Sequence, residues 1–432
     1  MRNLAGLKSG CRDTLLALMF VCIVGCSSDE QASEGLGNNT EPEEVSVSQL
    51  HAAALVLDAH ADIVIPSTST SYLSDDGSSK VSLDKMRAGG VDAVVMSIAV
   101  GPGPRTEEGD AAARAEADEK LEAINSLISL SDGNAVLVRS SAELVAAHEA
   151  GKSAIILGFQ NARSLERDIN TIDEFYQAGV RVFGLNHLGH NEFSDSSRPN
   201  FDGTTGKFEV TEEHGGLSEL GVSAIKRINA LGALIDVSQM SKSATLQALE
   251  LTTSPVVASH SNAKKVSDVS RNLSDEEIDL IGENGGVIHV AAFKGYLLNI
   301  SEPKFIGTLK SLRREVGISE EYNYPFELYW EIEDLAKRAN FIAAVSELLG
   351  PAKTDNMIEH INYIVDRIGV DHVGIGNDFN HGSGIDDYID ATDAMNLTEG
   401  LIRAGFTQES IDKIWSGNFL RVLDAAARNS TK

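Results

Sequence analysis

The chain is short of cysteine, of positive charge and of long apolar runs, and each shortage closes off a class of explanation. Its only cysteines are Cys11, Cys22 and Cys26. Beyond Cys26 no thiol remains for a disulfide framework, a thiolate zinc site or a cysteine nucleophile. Lys and Arg number 36 against 64 Asp and Glu, a formal charge of −28. That balance argues against nucleic acid, and against an anionic membrane surface, as partners. The apolar stretch over residues 15–24 is too short to cross a bilayer as a helix.

That stretch has another reading. Arg2, Lys8 and Arg12 precede it, and Ile23-Val24-Gly25-Cys26 follows. A basic region, a short apolar region and small residues before a cut site make a secretory signal over residues 1–25. The tetrapeptide resembles a bacterial lipobox, which implies lipidation at Cys26 as the first residue of the mature chain. Ser27 and Ser28 follow with no Asp. By the same resemblance this implies an exported lipoprotein of the cell envelope, at the outer membrane or the periplasmic face. Residues 26–44, rich in Ser, Glu, Gly and Asn, read as a flexible tether. The rest, 45–432, is expected to be one domain with a charged helical insertion over about 294–350.

Within that domain, short apolar runs alternate with helical patterns. The runs end at Asp62, Val100, Gly158, Leu185, Val237, His260, Val290 and Gly376. Eight strands separated by helices predict an α/β fold, a (β/α)8 TIM-like barrel of the metal-dependent hydrolase type. In such a barrel the chemistry lies where the strands end. Those ends carry His60 and Asp62, then Gln160, His187, Gln239, His260 and Asp378, while His289 falls inside the seventh strand. His60 and Asp62 stand two apart on a strand, so both point to one side and can reach one cation. A lone histidine on an apolar strand is more often a core residue. Repetition at one end of several strands points instead to metal-assisted chemistry.

The sequence resembles the membrane (renal) dipeptidases, zinc metallopeptidases built on an amidohydrolase-like barrel. The matching pieces include Asp58-Ala59-His60-Ala61-Asp62, Leu185-Asn186-His187 and Asp195-Ser196-Ser197. Leu234-Ile235-Asp236, Ser259-His260-Ser261, Arg271-Asn272, residues 371–379 and Asn418-Phe419-Leu420-Arg421 extend the match. The family uses two zinc ions that share a water or hydroxide. The resemblance implies His60 and Asp62 as ligands of the first metal and His260 as a ligand of the second. It implies His187 as the group facing substrate and the tetrahedral intermediate. Arg271 would pair with the substrate carboxylate, a task its forked geometry suits, and Asp378 would take the proton of the attacking water.

Two positions depart from the family pattern. Gln160 stands where the family has a bridging glutamate, and Gln239 where it has a second imidazole. A carboxamide brings no charge and is a poor zinc ligand. The expectation is therefore one zinc on His60, Asp62 and His260, with Asp378 as a further donor, and Gln160 and Gln239 either supporting the metal ligands from outside or contacting substrate. Three readings stand side by side: a hydrolase of dipeptides or similar small amides, a barrel that binds a peptide-like ligand without turnover, and a mononuclear hydrolase of another amide, lactam or ester. A small peptide-like substrate, membrane attachment through the lipid and a homodimer are the expected partners.

Overall fold

The computed structural model describes residues 46–431. The signal, the tether and Cys26 lie outside the described residues. Eight strands form the barrel: β1 (Leu57–Asp62), β2 (Ala93–Ala99), β3 (Ser153–Gln160), β4 (Val180–Gly184), β5 (Leu234–Asp236), β6 (Val257–Ala258), β7 (Val287–Val290) and β8 (Val373–Ile375). They pair in that order, all parallel. The ring closes where Ala61 bridges Phe379 in parallel, with Asp62 N donating to Phe379 O and Asp378 N to His60 O, both at 2.9 Å. The barrel expected from the alternation is the fold observed.

Burial explains why these runs are strands. Every residue of β1 and β2 is buried, as a parallel sheet covered on both faces requires. Leu57, Ala59, Ala93, Val95, Ala154, Ile156, Val182, Leu234, Val257 and Val287 form the inner core at the strand starts. Phe419, Val422, Leu423 and Ala426 of the last helix, Asn418–Arg428, pack into the same cluster. One mouth of the barrel is thereby plugged, and the polar strand ends lie at the other. The run leading into Asp378 needs glycine for clearance. A Cβ at Gly376 would lie 1.9 Å from Ser259 O, and one at Gly374 would lie 2.3 Å from the His289 ring.

Helix boundaries follow their caps. Ser274 closes a capping box with Glu277 ahead of the helix Asp275–Glu283, as the Ser-x-x-Glu spacing predicts. Gly90, at φ 70°, ends Leu83–Gly89 in the left-handed conformation that favours glycine. The sequence reading did not anticipate the three-residue strand Ala135–Leu137. It takes the first half of the β3 edge whose second half pairs with β4. Within 294–350 stand the helices Lys294–Leu297, Pro303–Val316 and Leu335–Leu349, with a 3-10 turn at Tyr329–Glu331. They bury Leu309, Ile332, Phe341 and Val345 among themselves, and the turn reaches the loop after β1 through Tyr329 Oη, 3.3 Å from Tyr72 Oη.

Candidate metal centre and active site

The strand ends bring His60, His260 and Asp378 together. One ligand atom from each lies within 4.8 Å of the others, and all three residues are buried. The two imidazoles stack with centroids 3.9 Å apart. His60 Nε2 stands 3.7 Å from Asp62 Oδ1 and 3.8 Å from Asp378 Oδ1. His60 Nε2 and Asp62 Oδ1 are buried with no hydrogen-bond partner. Buried polar atoms left unpaired in this way are uncommon and call for an explanation such as an ion.

One hydroxyl orients both rings from behind. Ser259 Oγ donates to Asp236 Oδ2 at 2.5 Å, and accepts from His260 Nδ1 at 2.7 Å and His60 Nδ1 at 3.3 Å. With its single proton committed to Asp236, the hydroxyl favours the Nδ1–H tautomer of both imidazoles, which leaves each Nε2 as an acceptor and that of His60 without a partner. A carboxylate or hydroxyl behind a ligating histidine is the usual outer support of a metal site. Asp58 performs a similar service for the strand ends. Its carboxylate accepts from Asn377 N at 2.9 Å, Asn377 Nδ2 at 2.8 Å and His60 N at 3.1 Å. Burial pushes its pKa up to about 6 despite those donors.

Gln160 and Gln239 both face His260, with their Nε2 atoms 3.4 and 3.3 Å from His260 Nε2. Neither lines the cavities at the strand ends. Gln239 lies at φ 70° and Asp378 at φ 63°. Left-handed backbone at residues other than glycine is strained and gathers at functional sites.

The sequence reading missed His381. Its Nδ1 donates to Asp62 Oδ2 and its Nε2 lies on His187 Nε2, each at 3.0 Å. Burial works against a charge on His381, but the bond to Asp62 outweighs it and its pKa rises. Burial, and then the neighbouring His381, push the His187 pKa well down. The chain of contacts therefore runs from Asp62 through His381, whose pKa is raised, to His187, whose pKa is pushed well down. The only signal was a histidine three residues beyond Asp378, just past the matching segment.

Burial raises the pKa of Asp378 above the usual carboxylate range, which improves it as a base. The His60 pKa is drawn down by burial, but Asp62 and Asp378 carry it net upward. Arg271 is buried, with Nη1 donating to Ser261 Oγ at 3.0 Å and Nη2 to His260 O at 2.7 Å. Its Nε has no partner, and its guanidinium lies 5.5 Å from the Tyr296 ring centroid. Two cavities meet at His187 and His381. One of 250 Å³ reaches Asp62 and Lys120, and one of 350 Å³ reaches Arg198, Tyr296, Tyr324 and Trp330.

Comparison with known proteins agrees with this arrangement. Residues 45–432 match the membrane dipeptidases, peptidase family M19. The chain belongs to that family. Among solved structures, the probable dipeptidase PvdM of Pseudomonas aeruginosa is 30% identical, with a TM-score of 0.77 over 89% of this chain and 98% of that one. Dipeptidase verJ of Clonostachys rogersoniana is 25% identical over 73% of this chain. The chain spans 66% of verJ's length and 58% of that of dipeptidase tcpJ of Claviceps purpurea. A Rhodobacter sphaeroides metallopeptidase, liganded with a phosphinate mimic of L-Ala-D-Ala, shares the fold at 20% identity and a TM-score of 0.66.

Proposed function

We propose that this M19 protein is a metal-dependent hydrolase of dipeptides or similarly small amides, working with one zinc ion. The reading rests on one observation above the others. His60 Nε2 and Asp62 Oδ1 are orphaned in the interior beside His260 and Asp378, at the end of the barrel where the family's chemistry lies. Their N and O donors fit zinc, and the Asp236–Ser259 pair steadies the two imidazoles. His60, Asp62 and His260 would hold the ion, which supplies Lewis-acid activation of water when bound.

The remaining steps belong to side chains. Asp378, its pKa raised by burial, takes the proton of the attacking water and returns it to the leaving amine. His187, neutral and held by His381, faces the developing oxyanion with its Nδ1–H. Arg271 meets the free carboxylate of the substrate, since only two of its five N–H donors are spent, on Ser261 and His260, and its Nε has no partner. Gln160 and Gln239 serve His260 rather than substrate. The family relatives named dipeptidases, and the peptide mimic in the Rhodobacter enzyme, support a small peptide as substrate. By this proposal the mature chain is tethered to the cell envelope through lipid on Cys26, which radiolabelled palmitate incorporation in wild type and C26A would test.

A second reading has an observation of its own. Two carboxamides cover His260 Nε2, which suits a barrel that binds peptides without metal or turnover. Zinc content and dipeptide hydrolysis, measured on the same full-chain sample with and without chelator, separate the two. Chelator-sensitive turnover with one ion supports the hydrolase. Two tightly held ions overturn the single-zinc form, and protein that retains no metal after incubation with zinc and shows no turnover leaves the binding protein. D378N should lower kcat by about 100-fold or more while zinc content holds. Parallel loss of zinc would move Asp378 into the ligand set.

A further inference from the structure

The second cavity carries a buried cation that the proposed mechanism does not use. Arg198, from the segment after β4, is 7% exposed and lines the 350 Å³ cavity together with His187, Tyr296 and Tyr324. Its donors are engaged in part, by Tyr296, Tyr324 and Glu327. Nη1 donates to Tyr296 Oη at 3.2 Å, Nη2 stands 3.5 Å from Glu327 Oε1, and Nε has no partner. The guanidinium lies 4.3 Å from the centroid of Tyr324. Arg313 shows what a structural arginine of this chain looks like. It is fully buried, and its three nitrogens reach the carbonyls of Ser319, Glu321 and Glu327.

Glu327 does not fill the role of ligand. It is 1% exposed, does not line the cavity, and is held at Asn323 N. It braces the guanidinium from behind, while the opposite side faces the cavity. Tyr296 stands between two cations, bonded to Arg198 and lying under Arg271. Both arginines thus meet at one tyrosine, which sets a second guanidinium near a substrate whose α-carboxylate meets Arg271. Phe293, Tyr296, Tyr324 and Trp330 give the cavity aromatic walls. An anion brought there sheds water and gains a forked, charge-assisted partner.

We infer that Arg198 selects substrates whose C-terminal residue bears an acidic side chain, so that the preferred dipeptides end in a Glu- or Asp-like residue. The inference rests on the hydrolase reading for its orientation of substrate, but its test does not. Full-chain, zinc-loaded protein is compared on Ala-Glu and Ala-Gln, with the C-terminal residue in each configuration. kcat/KM is measured by release of alanine, and binding by calorimetry. Wild type should favour the acidic dipeptide by at least about tenfold, the scale of a charge-assisted bond lost to a carboxamide. R198Q should lower kcat/KM for Ala-Glu at least about tenfold more than for Ala-Gln, and R198K should restore part of the preference.

Turnover of both dipeptides without an acidic preference overturns this inference and leaves the hydrolase standing. Selective binding of Ala-Glu without any turnover keeps the inference and overturns the hydrolase. Equal losses on both substrates in R198Q would assign Arg198 to the α-carboxylate or to the scaffold, and would also overturn it. Wild-type binding decides the matter should the variants fail to fold.

Discussion

Replacing Ser259 with alanine measures how much of the metal centre is held from behind. The hydroxyl donates to Asp236 at 2.5 Å and receives His260 Nδ1 and His60 Nδ1 at 2.7 and 3.3 Å. Without it, both imidazoles lose the bond that fixes their tautomer and ring angle. Outer partners of this kind are worth about 10- to 100-fold in metal affinity. Because one hydroxyl serves two ligands, S259A should weaken zinc binding by about 100-fold, the upper end of that range. Asp236 keeps backbone donors from Ser238 and Ser259, both at 2.9 Å. The carboxylate is therefore not stranded, and the cost in stability stays near about 2 kcal/mol. In a chain of this size that lowers Tm by about 4 °C or less. Competition for zinc against a chelator of known affinity, with a melt of the metal-free protein, reads both quantities. Zinc affinity within about twofold of wild type, in a variant that melts normally, would refute the reasoning that Ser259 orients the ligands.

Other perturbations probe different parts of the molecule. The double variant Q160E/Q239H restores the family's donor types and should raise zinc content by one ion per chain, read by mass spectrometry. The φ of 70° at position 239 is one that histidine adopts more readily than glutamine. R271M should raise KM at least about tenfold for dipeptides with a free carboxylate, and far less for C-terminally amidated ones. Equal effects on both would remove Arg271 from carboxylate recognition. Burial holds His289 and His360 near pKa 4, against an ordinary 6.5. Both are neutral in the fold, while the unfolded chain takes up protons below pH 6.5. Their stability is therefore complete above that value and is lost as pH falls towards 4, by about 3 kcal/mol each. Urea unfolding across that range should show the decline, and H360Q should flatten it. An unchanged slope in the variant would contradict the assignment.

The barrel was legible because its strands are buried on both faces, which writes them as continuous apolar runs such as Ala-Val-Val-Met-Ser-Ile-Ala in β2. Ala135–Leu137 escaped because three residues carry no period. Within the site, His60, His260 and Asp378 were found as strand-end residues, and the structure places them within ligand reach of one another. Asp62 stands beside them through His60, with its other oxygen held by His381. Roles that depend on three-dimensional contact were out of reach. Nothing in sequence pairs Ser259 with Asp236 and two imidazoles, or sets Asn377 on Asp58 across 319 positions. Gln160 and Gln239 were expected either to support the ligands or to meet substrate, and which ligand they touch, His260, follows only from the closing of the ring. Arg198 gave no signal either, since its neighbours Tyr296, Tyr324 and Glu327 come from distant segments.

The contact between Tyr72 and Tyr329 sets a limit on what can be digested. Their hydroxyls lie 3.3 Å apart, joining the loop after β1 to the helical segment across the mouth of the barrel, and the spaces beneath hold a few hundred cubic ångströms at most. Spaces of that size suit a ligand of a few residues rather than a folded protein. On the proposed hydrolase reading, such a site would take only short fragments and would depend on other hydrolases to cut chains short enough to enter.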